Sequence, residues 1–92
     1  MSKIILEGYI IVPDGDMQAV QDEIPNHIQL TRAEPGCLVF EISRHNEIAN
    51  RFSVYEEFVD RRSFELHQKR VGESVWGAVS VDVERYYQIT ED

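Results

Sequence analysis

The stretch from Leu30 to Phe40, Leu-Thr-Arg-Ala-Glu-Pro-Gly-Cys-Leu-Val-Phe, leaves the chain little choice of path. Leu30 to Ala33 closes an amphipathic helical pattern, Pro35-Gly36 stops it, and Cys37 to Phe40 opens an apolar extended run. Proline cannot continue a helix, and it biases the residue before it toward extended geometry. Glycine takes the left-handed conformation that commonly ends a helix. A helix-to-strand corner this tight fixes how the first helix lies on a sheet.

The pattern on either side of the corner completes the plan. Lys3 to Val12 reads as a strand with Ile4, Leu6, Gly8 and Ile10 on one face and Ile5, Glu7, Tyr9 and Ile11 on the other. Pro13-Asp14-Gly15-Asp16 is turn chemistry, with Asp14 or Asp16 as the cap of the next helix. Met17, Val20, Ile24, His27 or Ile28, and Thr31 then recur at helical spacing, and Pro25 predicts a bend near Ile24 with Pro25 in the first turn of a second segment. Beyond the corner, Cys37 to Arg44 is a strand with Leu38, Phe40 and Ile42 on one face and Cys37, Val39, Glu41 and Ser43 on the other. A polar loop, His45 to Asn50, leads to a return strand, Arg51 to Phe58. Asp60 is placed to cap a second helix whose inward stripe is Phe64, His67 and Val71. Gly72 breaks it, Glu73 to Val79 makes a further helical turn, and Ser80 to Ile89 is the last strand.

Strand, helix, strand, strand, helix, strand is the ferredoxin-like βαββαβ order, an α+β fold on an antiparallel sheet, here as a single domain over residues 1–92. Two helices cover only one face of such a sheet, yet the first strand is apolar on both faces. A sheet with one solvated face alternates cleanly, so the pattern predicts a homodimer. Size points the same way, because a 92-residue chain buries only about 60–65% of its unfolded surface.

Charge and cysteine content narrow the function. A formal charge of −8 repels phosphate backbones and excludes nucleic acid as the expected partner. The single cysteine, Cys37, allows no intrachain disulfide, and its apolar neighbours read as buried core. The first residues show no signal-peptide pattern and no run is long enough for a membrane span, so the expected location is cytoplasmic.

The chain has no phosphate-binding glycine loop, no Cys-x-x-Cys and no nucleophile elbow. Its three histidines, His27, His45 and His67, are dispersed, and no metal site is expected. His27 and His67 nevertheless share a feature: each lies on the inward stripe of its helix. Such a histidine either has its polar atoms satisfied at the core edge or projects into a pocket where it can move a proton near neutral pH. Trp76, Tyr55, Phe40, Tyr9, Tyr86 and Phe52 are candidates for an aromatic wall, and equally for plain core. Glu7, Glu41, Glu56, Glu57 and Arg85 lie on strands, where pairing across the sheet or a dimer seam accounts for them.

Taken together, His27, Thr31-Arg32-Ala33-Glu34-Pro35-Gly36-Cys37-Leu38, Phe40, Phe52, Val54-Tyr55-Glu56, Phe58, Asp60, Phe64 and His67 resemble the antibiotic-biosynthesis monooxygenase domain family, particularly its short quinol-monooxygenase-like members. The resemblance covers nearly the whole chain. It implies a dimeric α+β barrel of ferredoxin-like protomers. It also implies oxidation of a small quinol or polyphenol by O2 to a quinone without flavin, metal or other cofactor. On that basis His67 is the first candidate for base or substrate-orienting group and His27 the second. Trp76, Tyr55, Arg85 and Phe40 are the substrate-binding candidates. The haem-degrading relatives use a first-strand asparagine and a histidine in the second-helix region; the first strand here has no asparagine, and Val71 to Ser80 contains no histidine.

Two other functions fit the same fold. One is isomerisation or cleavage of a small phosphorylated, sugar-like signal, which would want cations that the second-helix stripe lacks. The other is a dimeric ligand-binding module with no catalysis.

Overall fold

In the computed structural model, which describes residues 2–92, the Pro35-Gly36 corner joins a helix ending at Arg32 to a strand beginning at Cys37. The Cys37 N–H donates to the Glu34 carbonyl at 3.1 Å, so the reversal takes a single turn. Gly36 is not left-handed. Its small size is used for a close approach instead: an added Cβ would sit 2.1 Å from Ser63 Oγ, and the Gly36 carbonyl accepts from the Val59 N–H at 2.9 Å. The corner is therefore clamped against the start of the second helix.

The elements are β1 (Ile4–Ile11), a short 3-10 turn (Asp14–Asp16), α1 (Met17–Arg32), β2 (Cys37–Arg44), β3 (Arg51–Phe58), α2 (Arg61–Gly72), α3 (Val75–Val79) and β4 (Glu84–Glu91). The strands form one antiparallel sheet in the order β2-β3-β1-β4, the ferredoxin-like arrangement. Ile4, Leu6 and Ile10 of β1 and Phe52, Val54 and Phe58 of β3 build the floor of the core, and Val20, Phe64 and Trp76 press on it from the helices. Asp60 caps α2 by accepting from the Ser63 N–H at 2.8 Å, as its position predicts.

Three local features depart from the sequence expectation. First, α1 runs unbroken through Pro25. An interior proline costs about 3 kcal/mol, but Val20, His27 and Thr31 lie on both sides of it on one buried stripe. A break there would turn His27 and Thr31 off the stripe that Val20 begins, and the helix stays whole. Second, β2 contains an irregularity between Cys37 and Val39 that leaves Leu38 without a partner on β3. The extra residue reverses the alternation at its start: Cys37 pairs with Phe58 and packs on the core, while Leu38 is 53% exposed. Third, β4 starts at Glu84 rather than Ser80, because Ser80 to Val83 forms a turn closed by the Val83 N–H to Ser80 carbonyl bond of 3.1 Å.

One glycine needs its freedom. Gly8 has φ +156°, and an added Cβ would stand 2.0 Å from the Tyr86 carbonyl oxygen on β4. This close contact places Tyr87 directly opposite Gly8 and sets how β4 lies against β1. On the sheet face away from the helices, Ile5, Tyr9, Ile11 and Val39 are half-buried without a covering layer. There Tyr9 stacks on Tyr86 at 4.9 Å, and the Arg51 guanidinium lies 3.7 Å from the Tyr9 ring centroid. Among the described residues, no helix is long and apolar enough to cross a membrane.

Candidate active site

Between the helices and the sheet lies a cavity of about 210 Å³. Its floor comes from Leu6 of β1, Ile42 and Phe40 of β2, and Val54 and Glu56 of β3. His27 of α1, Gln68 and Val71 of α2, and Trp76 of α3 form the wall, while exposed Arg85 and Tyr87 of β4 form the open side.

The inward stripe of α1 brings His27 here, and α3 exists in effect to cover it. Ser74 caps α3 by accepting from the Gly77 N–H at 3.2 Å, and the five-residue helix lays the Trp76 indole flat on the imidazole. Phe40 meets the same imidazole edge-on at 5.1 Å. Ser80, fully buried at the end of α3, donates to the Trp76 carbonyl at 2.6 Å and accepts from Arg85 Nη2 at 3.0 Å. Arg85 donates further to the Ser80 and Val83 carbonyls, so its guanidinium is held at the cavity by the α3–β4 turn.

Two polar groups in this lining are buried without partners. His27 is 3% exposed and Glu56 6% exposed, and neither His27 Nδ1 nor Glu56 Oε1 has a hydrogen bond within the chain. An unmet buried polar group is costly and marks a place where a ligand or water completes the structure. Burial, reinforced by the charges of His67 and Arg70, pushes the His27 imidazole down to about 3, so it is neutral throughout the physiological range. Burial and then the nearby Glu34 carboxylate push the Glu56 carboxyl up to about 8. The site thus holds an uncharged imidazole and a carboxylic acid that keeps its proton at neutral pH.

His67 lies one layer behind. It is 3% exposed and packs against Phe58 at 4.7 Å and Phe40 at 5.7 Å between ring centroids, without lining the cavity. Its Nδ1 lies 3.1 Å from both carboxylate oxygens of Glu34, and its Nε2 lies 3.8 Å from Glu56 Oε1. Glu34 is in turn ion-paired with Arg70, which also donates to Thr31 Oγ1 at 3.0 Å. Burial lowers the His67 pKa, opposed by its hydrogen bond to Glu34 and that group's charge.

Of the residues singled out from sequence, the fold brings His27, Trp76, Phe40 and Arg85 to the cavity and sets His67 behind it. Tyr55 is not brought there. It pairs in register with Glu7 and Glu41 on the opposite sheet face, where its hydroxyl donates to Glu57 and leaves its pKa raised to about 12. Sequence reading missed Glu56, Tyr87 and Gln68. A signal for Glu56 was present: it interrupts the apolar row Phe52, Val54, Phe58 on a strand that proves to be central. Among the described residues, no three His, Cys, Asp or Glu side chains come together so as to hold a metal ion.

A sequence model of the family described as antibiotic biosynthesis monooxygenase matches residues 3–72. The chain belongs to that family. The match spans β1 through the end of α2 and so includes His27, Phe40, Glu56 and His67. No curated protein matches the chain in sequence. Among solved structures, the fold is shared with a conserved protein of unknown function from Bacteroides thetaiotaomicron, provisionally described as an oxidoreductase. That likeness has a TM-score of 0.83 at 15% identity, over 99% of this chain and 98% of that one. A Nitrosomonas europaea protein, provisionally named an antibiotic biosynthesis monooxygenase, gives a TM-score of 0.76 at 19% identity over 100% and 96% of the two chains. A Deinococcus radiodurans protein with the same provisional name gives 0.74 at 19% identity over 97% and 89%. At these identities the likeness is one of fold.

Proposed function

We propose that the chain is a cofactor-independent monooxygenase that oxidises a small phenol or quinol with O2 in the cavity beneath α2 and α3. The observation that carries this reading is the pair of unpartnered, buried polar atoms on His27 and Glu56 in a lining that is otherwise apolar or aromatic except for Gln68 and Arg85, within a family named for monooxygenases. The chemistry asks little of a protein. A phenol loses its proton, the phenolate gives one electron to O2, and the resulting radicals join at a ring carbon. The peroxide so formed loses water, leaving one oxygen atom of O2 on the ring as a quinone carbonyl.

Magnitudes decide which residue takes the proton. A phenol has a pKa near 10, about 2 units above Glu56, so transfer to an ionised Glu56 costs roughly 3 kcal/mol. Transfer to His27, whose pKa lies near 3, would cost roughly 10 kcal/mol. Ionising Glu56 at pH 7 adds roughly 1.4 kcal/mol, which leaves Glu56 the better base by a wide margin, and His27 accepts or orients a hydrogen bond without changing charge. Arg85, pinned by Ser80 and Val83, supplies positive charge toward the developing phenolate. Trp76 and Phe40 stack against the ring.

Cavity size limits the substrate class. A dry cavity of about 150 Å³ holds a benzene ring, so about 210 Å³ suits one or two fused rings. Oxygen uptake with naphthols and hydroquinones, compared with the enzyme-free autoxidation rate, tests the proposal. Turnover by the wild type that falls at least a hundredfold in Glu56→Gln is expected; uptake at the autoxidation rate across the panel would refute it.

We propose further that a second copy covers the half-buried sheet face of Ile5, Tyr9, Ile11 and Val39, giving the homodimer. Light scattering at micromolar concentration tests this directly, and a monomer would refute it.

A further inference from the structure

Glu56 holds its own proton at neutral pH and must release it to water before it can take one from a phenol lodged in the cavity. The phenol's proton then passes back from Glu56 to the peroxide and leaves in the water that is lost. A second, outer pocket, lined by Glu34, Pro35, Gly36, Ser63, Leu66 and Arg70, lies beyond the cavity's inner wall. His67 touches a carboxyl belonging to each pocket: Glu34 through Nδ1 at 3.1 Å, and Glu56 through Nε2 at 3.8 Å. We propose that Glu56, His67 and Glu34 form a proton path from the cavity to the outer pocket, with His67 as its relay and positioning residue.

The protonation pattern follows from the partners. Glu34 is held by the Arg70 guanidinium and presents both oxygens to His67 Nδ1, so Nδ1 carries hydrogen and donates. Nε2 then offers a lone pair toward Glu56 Oε1, which has no other partner. In the transfer, the Glu56 O–H bond breaks and an N–H bond forms at Nε2, leaving a carboxylate facing the cavity. The Nδ1–H bond breaks and its proton passes to Glu34 and on to solvent. One proton enters from the cavity and one leaves, with no change in oxidation state. A turn of the imidazole restores the first tautomer. The 3.8 Å separation exceeds a hydrogen bond by about 0.8 Å, which a small ring movement or one bridging water closes.

The charges around the path are consistent with this direction. Glu34 and Arg70 face His67 from the outer side, while neutral His27 and the β4 groups Arg85 and Tyr87 share the inner cavity with Glu56. The role of the path in turnover rests on the cavity being the reaction site; the path's existence does not.

The test therefore replaces substrate with naphthalene, an inert ring that occupies the cavity and has no phenolic proton to give. Carboxyl-carbon NMR of glutamate-labelled protein follows Glu56 through its titration between pH 6.5 and 9.5. A single averaged resonance is expected in the wild type and in the control Glu57→Gln, whose site lies on the opposite sheet face. His67→Gln and Glu34→Gln are expected to slow proton exchange at Glu56 at least tenfold, broadening or splitting its signal. Glu34 is half-buried at the edge of the outer pocket, and Glu34→Gln keeps its shape, so that variant serves if His67→Gln does not fold. Exchange at the wild-type rate in a folded Glu34→Gln protein would overturn the path, whatever oxygen uptake shows.

Discussion

The His27 imidazole and the Trp76 indole lie face to face, with ring centroids 4.4 Å apart and planes 3° from parallel. A neutral imidazole can stack in this way, whereas a charged one would have to be desolvated against the ring. Trp76 is the only tryptophan, so its fluorescence reports on the site alone. Trp76→Ala should remove about 3–5 kcal/mol of stability through the cavity it leaves, read as a lowered urea midpoint. Trp76→Phe, which keeps an aromatic face, should lose less than half as much.

Stability should depend on pH in a way set by two oppositely shifted groups. Glu56 holds its proton up to about pH 8 when folded but only to about 4.5 when unfolded; His27 gains a proton near 6.5 unfolded but near 3 folded. Between pH 6.5 and 8 the folded state binds one more proton than the unfolded, so stability falls as pH rises, at about 1.4 kcal/mol per unit. Between 3 and 4.5 the unfolded state binds one more, so stability falls as pH drops. From 4.5 to 6.5 the two effects cancel. His67, lowered by burial, adds to the acid-side loss and moves the maximum toward the upper end of that interval. Urea titrations across pH 4–9 check this; Glu56→Gln should flatten the alkaline limb and turn the level stretch from 4.5 to 6.5 into a rise with pH set by the histidines.

Gly8→Ala should destabilise by about 2–4 kcal/mol, combining an unfavourable backbone region with a Cβ driven at the Tyr86 carbonyl. The movement that relieves the clash pushes β4 away from β1 and carries Arg85 and Tyr87 off the cavity. Oxygen uptake should therefore fall further in this variant than its folded fraction accounts for.

Tyr55→Phe should leave oxygen uptake within twofold of wild type. Tyr55 stands on the other side of the sheet, bonded to Glu57, and no lining residue touches its hydroxyl.

The same parity explains what could be read in advance. Apolar spacing and the Pro35-Gly36 corner were enough for the element order, the strand faces of β1 and β3, and the inward placement of His27 and His67. They hinted that Glu56 shares an apolar face with Phe52, Val54 and Phe58. They were not enough for its place in a cavity, because pairing across a sheet or a dimer seam accounts for a strand glutamate equally well. That distinction depends on β3 being central and on α2 and α3 roofing it, which are long-range facts. Pro25 misled for a related reason: its local cost is visible in the sequence, and the stripe of burial that runs through it is not. Tyr55 is an error of a different kind, an aromatic residue judged by type when its position opposite Glu7 and Glu41 decides its face.

The unpaired Leu38 gives β2 an unusual tolerance to changes in length. Removing it would leave Cys37 opposite Phe58, Val39 opposite Glu57 and Phe40 opposite Glu56 as an uninterrupted ladder, with every core side chain still facing inward. Deleting Glu41 instead would turn either Phe40 or Ile42 out of the core. A one-codon deletion scan of β2 should therefore find a folded protein at position 38 and unfolded ones at the positions after it, so that the strand carries within itself the one place where the gene can shorten without losing the fold.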